Sequence, residues 1–317
     1  MREPTVTAVV RVFDGERHVA EALDSILAQT RPADEIVVVD DGSTDGTAAI
    51  LAGYGDRIRV VHQENRGHRA ALDRAFEEAH CDYVANCDVD DVWEPDKLAR
   101  QVAALRAHSE VDVAFGAARL FGARDGIFHP PYPGFGVLEP DRFRHELYRA
   151  DRICASSAIV RRELFLRLGR FGLPGTDVCE DYDYWLRAAG SGATFFQDDA
   201  TLVGYRVHTE QASGNVLRMH EGELAVHVLH ASLVEPRHAR RAQARDLANI
   251  GRVLADLDRP AAARASFLSS FRRRPSLRPL VWSAVLSIPG RARRPLSRGL
   301  VATRRSLVPS RSSHGTA

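Results

Sequence analysis

Three carboxylates, Asp88, Asp90 and Asp91, crowd into four positions directly after the largely apolar run Tyr83–Cys87. A spacing of two puts Asp88 and Asp90 on one side of the chain if extended geometry persists past the run. Acidic groups this close repel one another, and a cation between them relieves the repulsion. Hard oxygen donors favour Mg2+ or Mn2+, which keep coordination positions open for water and substrate phosphates. The same residues could simply cap a helix beginning near Trp93–Pro95. A second acidic turn, Asp40-Asp41-Gly42-Ser43-Thr44-Asp45-Gly46, follows another apolar run and could hydrogen-bond a base or a ribose, or act as an ordinary capped turn. A third cluster, Glu180-Asp181, opens a helical pattern, where one carboxylate could serve as a general base or as an N-cap.

The elements that must position these clusters alternate. Val6–Phe13, Glu35–Val39, Ile58–His62, Tyr83–Cys87 and Val111–Phe115 read as buried strands. His18–Gln29, Thr47–Tyr54, Gly67–Ala79 and Pro95–Ala107 read as helices. This rhythm predicts an α/β fold, a mostly parallel sheet flanked by helices, with ligands beyond the carboxyl ends of the strands. The acidic turns sit at those ends. Residues 116–150, rich in Gly, Pro and aromatics, predict an irregular insertion whose rings could form part of an acceptor wall. Cys154–Val160 reads as a strand, Arg162–Leu168 and Asp181–Ala189 as helices, and Ala193–Phe196 and Thr201–Val207 as two further strands. Beyond about Asn215 the pattern is helical, and Leu247–Pro275 reads as one helix–turn–helix unit of tetratricopeptide type.

Composition narrows the function classes. The chain has 317 residues, 44% apolar and 27% charged, with a formal charge of +1, as in a soluble globular protein. No apolar run is long enough to span a bilayer, and no signal-peptide pattern opens the chain. The four cysteines lack CxxC spacing, so a disulfide framework is not expected and a reducing, cytoplasmic setting is. No GxGxxG opens the first strand–helix unit and no GxxxxGK[ST] occurs, which disfavours a dehydrogenase and excludes a P-loop NTPase. From residue 259 onward there are thirteen Arg and no acidic residue, leaving a body of net charge −12. Trp282 and its apolar neighbours, flanked by Arg272–Arg274 and Arg291–Arg294, suit a peripheral contact with an anionic membrane face. A nucleic-acid partner is not expected, since no recognised binding motif accompanies the arginines.

The three clusters, in this order, resemble those of the family 2 glycosyltransferases, nucleotide-sugar-dependent enzymes of the GT-A (Rossmann-like) fold. The likeness runs through Val6–Asp14, Ser25-Ile26-Leu27-Ala28-Gln29-Thr30, Glu35–Thr47, Glu64-Asn65-Arg66-Gly67, Asp88-Val89-Asp90-Asp91, Trp93–Leu98, Glu180-Asp181 with Trp185-Leu186-Arg187, and Tyr205-Arg206-Val207-His208. It implies a GT-A domain over 1–213, a C-terminal helical extension over 214–275 and a basic, partly disordered tail over 276–317. It also implies roles. Asp41 would accept from the N3–H of a uracil-like base, Asp40 would brace its turn, and Val12 and Phe13 would lie against base and ribose. Asp88 would face the ribose or a metal-bound water, Asp90 would ligate Mn2+ or Mg2+, and His208 would be a further metal or diphosphate contact. Arg66, with His68 and Arg69, could approach the diphosphate, and Asp181 would deprotonate the acceptor hydroxyl. Two positions depart from the family pattern: Arg11 stands where a small residue or proline is usual, and Asp14 where Asn is usual.

The resemblance therefore implies an inverting transfer from a nucleoside-diphosphate sugar, a UDP-sugar by preference, to a glycan, lipid-linked or small-molecule acceptor. The setting it suits is the cytoplasm, including the inner face of the plasma membrane, and cell-envelope polysaccharide synthesis. Two other classes compete with it. One is a sugar nucleotidyltransferase, which would need a Gly-rich, basic loop after the first strand, where Val12–Arg17 supplies only Gly15. The other is a nucleotide- or glycan-binding protein of the same fold without transfer activity.

Overall fold

The computed structural model describes residues 2–128, 131–176, 178–208 and 214–287. Its first strand, β1 (Val6–Val12), is buried along its whole length, as a strand must be when helices cover both faces of a sheet. It lies between β2 (Glu35–Asp40) and β4 (Tyr83–Asp88), parallel to both, with Arg11 opposite Asp88 and Val12 opposite Asp40. β3 (Arg59–His62) extends the sheet beyond β2. On the other side of β4 the order continues through β9 (Ile159–Arg161), β6 (Val113–Gly122), β10 (Phe195–Val207) and β5 (Val92–Trp93). The short β7 (Gly126–Ile127) pairs with β6, and β8 (Gly136–Val137) with β10. β9 is antiparallel to both β4 and β6, and β10 is parallel to β6, so the six longer strands β1, β2, β3, β4, β6 and β10 all point one way.

The chain leaves β1 toward β2 and β3, then crosses back to β4 on the other side. That reversal opens a crevice at the carboxyl ends of β1 and β4, where a sheet of this kind binds ligands. The connections carry α1 (Val19–Leu27), α2 (Thr47–Ala52), α3 (His68–Glu77) and α4 (Lys97–Ala107). Their apolar sides close a core that includes Val10, Leu23, Val38, Leu98, Ile159 and Leu202. Lys97, the chain's only lysine, is wholly buried at the start of α4. Its Nζ lies 4.1 Å from the centre of the Trp93 ring and donates to Gln101 Oε1 at 2.8 Å. Burial pulls its ammonium down to about 7.

Several expectations need correction here. Residues 116–122 continue β6, and 140–149 form α5 (Pro140–Arg149), so the span 116–150 is only partly irregular. The helix was announced by Pro140 at its first turn and by Glu139, whose carboxylate accepts from the Asp141 and Arg142 amides. Cys154–Val160 is a 3-10 turn over Ala155–Ser157 followed by the three-residue β9. The two strands expected at 193–207 are one, β10, with register shifts between Gln197 and Val203. Next come α6 (Arg162–Leu168) and α7 (Glu180–Gly190).

The chain divides into two compact units. One comprises residues up to Gly214 together with Ala225–Glu235, the other Asn215–Leu224 with the described residues from Pro236 on. The chain therefore passes between the units three times, after Gly214, Leu224 and Glu235, rather than once at the expected boundary of 213. The second half of α8 (Val216–Leu229) belongs to the first unit because His227 Nε2 meets the Tyr182 hydroxyl at 3.0 Å. Just after that helix, His230 Nε2 meets Asp183 Oδ1 at 2.8 Å. In the second unit, α9 (Pro236–Asp256) packs on α10 (Pro260–Arg273), with Gly251 where any larger side chain would meet the Phe267 ring. Residues 277–285, expected to belong to the tail, form α11 (Leu277–Val285), and Trp282 stacks on Phe267 at 5.8 Å. The rest of the expected tail, from 288, lies outside the described residues. No helix among the described residues is long and apolar enough to cross a membrane.

Candidate active site

Two turns meet at the carboxyl ends of β1 and β2. Asp14 takes a left-handed conformation, φ 47°, which Asp and Asn tolerate better than most residues. Its Oδ1 accepts from the Thr44 amide at 2.7 Å, while the Asp14 amide donates to Ser43 Oγ at 3.0 Å. Glu16 Oε2 accepts from the Gly46 amide at 2.7 Å. Asp40 Oδ1 accepts from the Ser43 amide and so braces the acidic turn. Asp41 is almost fully buried. Its Oδ1 accepts from the Arg66 amide and from Gln63 Nε2, and its Oδ2 from the Gly67 amide. Asp41 therefore holds the 63–67 loop against the strand end, and Oδ2 retains a lone pair for a ligand N–H. The loop comes so close that a side chain at Gly42 would strike the Asn65 amide at 2.9 Å. The Val12 side chain is buried in the core, and the Phe13 ring beside it is 48% exposed. Arg66 contributes its backbone N–H, and its side chain is exposed.

At the end of β4 the strand geometry does not persist. The Asp91 amide turns back to Asp88 O at 2.9 Å, so Asp88 and Asp90 do not simply point together. Asp91 swings inward and is 1% exposed, accepting from Ser156 Oγ at 2.5 Å and from the Arg206 amide at 3.0 Å. Burial and the neighbouring Asp88 and Asp90 push its carboxyl well above the usual range. Arg206 clamps the turn from outside through Asp90 O at 2.9 Å and Glu21 Oε2 at 2.5 Å.

Asp90 Oδ2 lies 2.9 Å from His208 Nε2, and the His18 ring stands 5.5 Å from that of His208. One carboxylate oxygen and one imidazole nitrogen fit an open divalent site of the Mg2+ or Mn2+ kind, with the remaining positions left to water and a diphosphate. Among the described residues no group of three or more His, Cys, Asp or Glu gathers as a closed metal cage.

The third cluster sits at the first turn of α7. Burial, then the adjacent Glu180 and Asp88, push the Asp181 carboxyl up to about 7, against the pull of the Tyr182 amide and Arg11. A base needs a pKa near the working pH. Glu180 remains ionised. Burial opposes its charge, but His68 Nδ1, 2.9 Å from its Oε1, and Arg11 outweigh that opposition and lower it. Asp88 behaves alike: burial raises it, but Arg11 Nη2 at 3.0 Å from its Oδ1 prevails and lowers it. Arg11 Nη2 also abuts His68 Nε2. The cluster after β4 and the one that opens α7, far apart along the chain, are thus joined through Arg11 and His68.

From sequence, Arg11, Arg206 and His18 have no role in the site, His68 is placed near the diphosphate and Glu180 belongs to the third cluster. An arginine inside the run Val6–Val12 was the readable signal for the first; contacts across elements, invisible in one dimension, decide the others. The aromatic segment expected as an acceptor wall mostly packs inward. Phe128 lies 4.6 Å from Tyr205, and Tyr132 meets Phe143 edge-on. Phe135 is 57% exposed, and His129 and Pro130 lie outside the described residues.

Comparison with known proteins agrees with this geometry. The family model described as glycosyl transferase family 2 matches residues 7–169. A protein of Rickettsia felis named as an uncharacterized glycosyltransferase is 31% identical over 225 residues, 69% of this chain and 36% of its own length. The chain thus spans about a third of that relative. The solved structure of S. aureus TarS residues 1–349 with UDP-GlcNAc matches with a TM-score of 0.65 at 17% identity, over 91% of this chain and 88% of that one. The mannosyltransferase PcManGT of Pyrobaculum calidifontis with GDP-Man and Mn2+ matches with a TM-score of 0.58 at 21% identity, over 90% and 79%. These likenesses establish a GT-A fold, and with the family match they show that the chain belongs to the family 2 glycosyltransferases.

Proposed function

We propose that the protein is an inverting glycosyltransferase that moves a sugar from a nucleoside-diphosphate donor, a UDP-sugar by preference, to a hydroxyl of a glycan or lipid-linked acceptor. The observation that carries this reading is the placement of Asp181. A carboxylate that titrates near neutrality stands within electrostatic reach of Asp88, at the strand end beside Asp90. Phe13 offers a ring to the base, Asp41 Oδ2 an acceptor to its N–H, and Asp88 a carboxylate to the ribose.

Asp90 and His208 are the residues that would hold Mn2+ or Mg2+, which when bound supplies positive charge for the diphosphate leaving group. Asp181, its carboxyl pushed up to about 7, takes the proton of the acceptor hydroxyl as its oxygen attacks the anomeric carbon. The bond to the diphosphate oxygen breaks on the opposite face. One base and no second nucleophile in this arrangement correspond to a single displacement with inversion, by analogy with the glycosidases.

Titration calorimetry of UDP, GDP and dTDP, each with and without Mn2+, tests the donor site. Metal-dependent binding of one nucleotide is expected; binding of none overturns the reading.

A peripheral membrane contact is part of the proposal. Leu277, Leu280 and Val281 are exposed on α11, beside Arg272, Arg273, Arg274 and Arg278. Apolar side chains flanked by arginines suit an anionic lipid surface.

A further inference from the structure

Arg11 is the one charged residue in an otherwise apolar or hydroxyl-bearing strand, and 92% of it is buried. A buried charge needs compensation, and this one pairs directly with Asp88 and reaches Glu180 through His68. Nη2 is 3.0 Å from Asp88 Oδ1 and also meets His68 Nε2, while His68 Nδ1 is 2.9 Å from Glu180 Oε1. A guanidinium can only donate. His68 Nε2 must therefore accept, which places the imidazole proton on Nδ1, where it is donated to Glu180. The result is a directed chain from Asp88 on β4 through Arg11 on β1 and His68 on α3 to Glu180 at the start of α7.

We propose that Arg11 is a positioning residue of the transfer reaction: with His68 it forms a bridge that ties the donor-side carboxylate to the first turn of α7 and so fixes the place and the charge of Asp181. The proposal rests on the reading of Asp181 as the base. A packing role alone does not account for Arg11. Its Nη1 is buried and has no partner among the described residues, a burden that an apolar residue would not carry. Its cost is matched by what the charge does nearby. The charged groups that face Asp181 are Glu180 from α7, Asp88 from β4 and Arg11 from β1, and Arg11 is the only cation of the three. It counters two negative neighbours and keeps the base from being held protonated through the neutral range.

The test is a carboxyl-carbon NMR pH titration of the full chain labelled at aspartate, with the Asp181 signal assigned by Asp181→Asn. In Arg11→Gln, which keeps a donor for Asp88 but loses the charge, the Asp181 midpoint should rise by about one pH unit. In Arg11→Lys it should stay closer to the native value, because the charge remains although the fork is lost. An Asp181 midpoint unmoved in Arg11→Gln, or moved equally in both variants, overturns the proposal. A second variant covers the case in which Arg11→Gln does not fold. His68→Ala, at a half-exposed side chain, cuts the bridge, and the Tyr182 and Asp183 amides should then exchange with solvent about tenfold faster. Unchanged exchange also overturns it. Neither measurement depends on turnover. Failure of the native protein to bind any nucleotide would remove the proposed function and leave the titration intact, whereas an unmoved midpoint would remove the bridge and leave nucleotide binding intact.

Discussion

Replacing Asp181 with Asn should abolish transfer and yet stabilise the protein above neutral pH. The carboxyl is raised from an ordinary 3.8 to about 7 in the folded chain. Between those values the folded state holds a proton that the unfolded state has lost, so wild-type stability falls as pH rises through the window. Three units at 1.36 kcal/mol each set an upper bound of about 4 kcal/mol. The carboxyl shares its titration with Glu180 and Asp88, and about 2 kcal/mol is a reasonable lower figure for a group so placed. Asn keeps an Oδ1 for the Tyr182 amide, which Asp181 accepts at 2.8 Å, and it carries no charge to be penalised. Urea unfolding at pH 5 and pH 8 reads the difference. At pH 5 the unfolded Asp181 has already ionised while the folded one keeps its proton, so Asp181→Asn should lead by about 1–1.5 kcal/mol. At pH 8 Asp181→Asn should be more stable by about 2–4 kcal/mol, or roughly 5–15 °C in Tm. Its transfer rate should fall by about 10²–10⁴-fold while nucleotide affinity is kept. Equal stability of the two proteins at pH 8 would refute the burial argument, and retained transfer would refute the assignment of the base.

Three further outcomes are expected. Asp90→Ala and His208→Ala should each lose the Mn2+-dependent part of UDP binding in calorimetry, and affinity unchanged by either would remove the metal assignment. Lys97→Met should stabilise the protein at pH 7: the native ammonium, held down to about 7 by burial, makes folding easier as pH climbs from 7 toward 10.5. The upper bound of about 4–5 kcal/mol at pH 7 is reduced by about 2–3 kcal/mol for the lost Trp93 and Gln101 contacts, and a gain that does not shrink by pH 10 would contradict the sign. Truncation before Leu277 should release the protein from vesicles of anionic lipid in a flotation assay, and undiminished binding would leave that segment without a membrane role.

Much of the scaffold was legible because its signals are local. The apolar runs of β1, β2 and β4 are each long enough to be read as buried strands, and the helices between them carry apolar residues at helical spacing. Acidic turns following those runs placed the candidate donor residues at the correct end of the sheet. Where reading failed, the deciding energy was not local. Helix α5 carries Arg, His and Glu among its three buried side chains, Phe143, Leu147 and Tyr148, so its period is obscured by charges that face outward. β10 looked like two strands because Asp198 and Asp199 interrupt it; Arg100 pairs with both, at 2.7 and 2.6 Å, and makes the continuation tolerable.

At the site the division is sharper. The order and types of Asp40-Asp41, Asp88–Asp91 and Glu180-Asp181 were set by the amino-acid sequence alone, and with them the class of chemistry. Which carboxylate is charged was decided only by the fold. The Asp91 carboxyl is raised because a turn buries it beside Asp88 and Asp90, Asp88 is ionised because Arg11 reaches it across the sheet, and Asp181 is pushed up to about 7 first by burial and then by Glu180 and Asp88. Those differences arise from desolvation and from charge pairs such as Arg11 and Asp88, which only the fold brings together. A linear sequence specifies the partners but not their distances, and Coulomb's law depends on the distances.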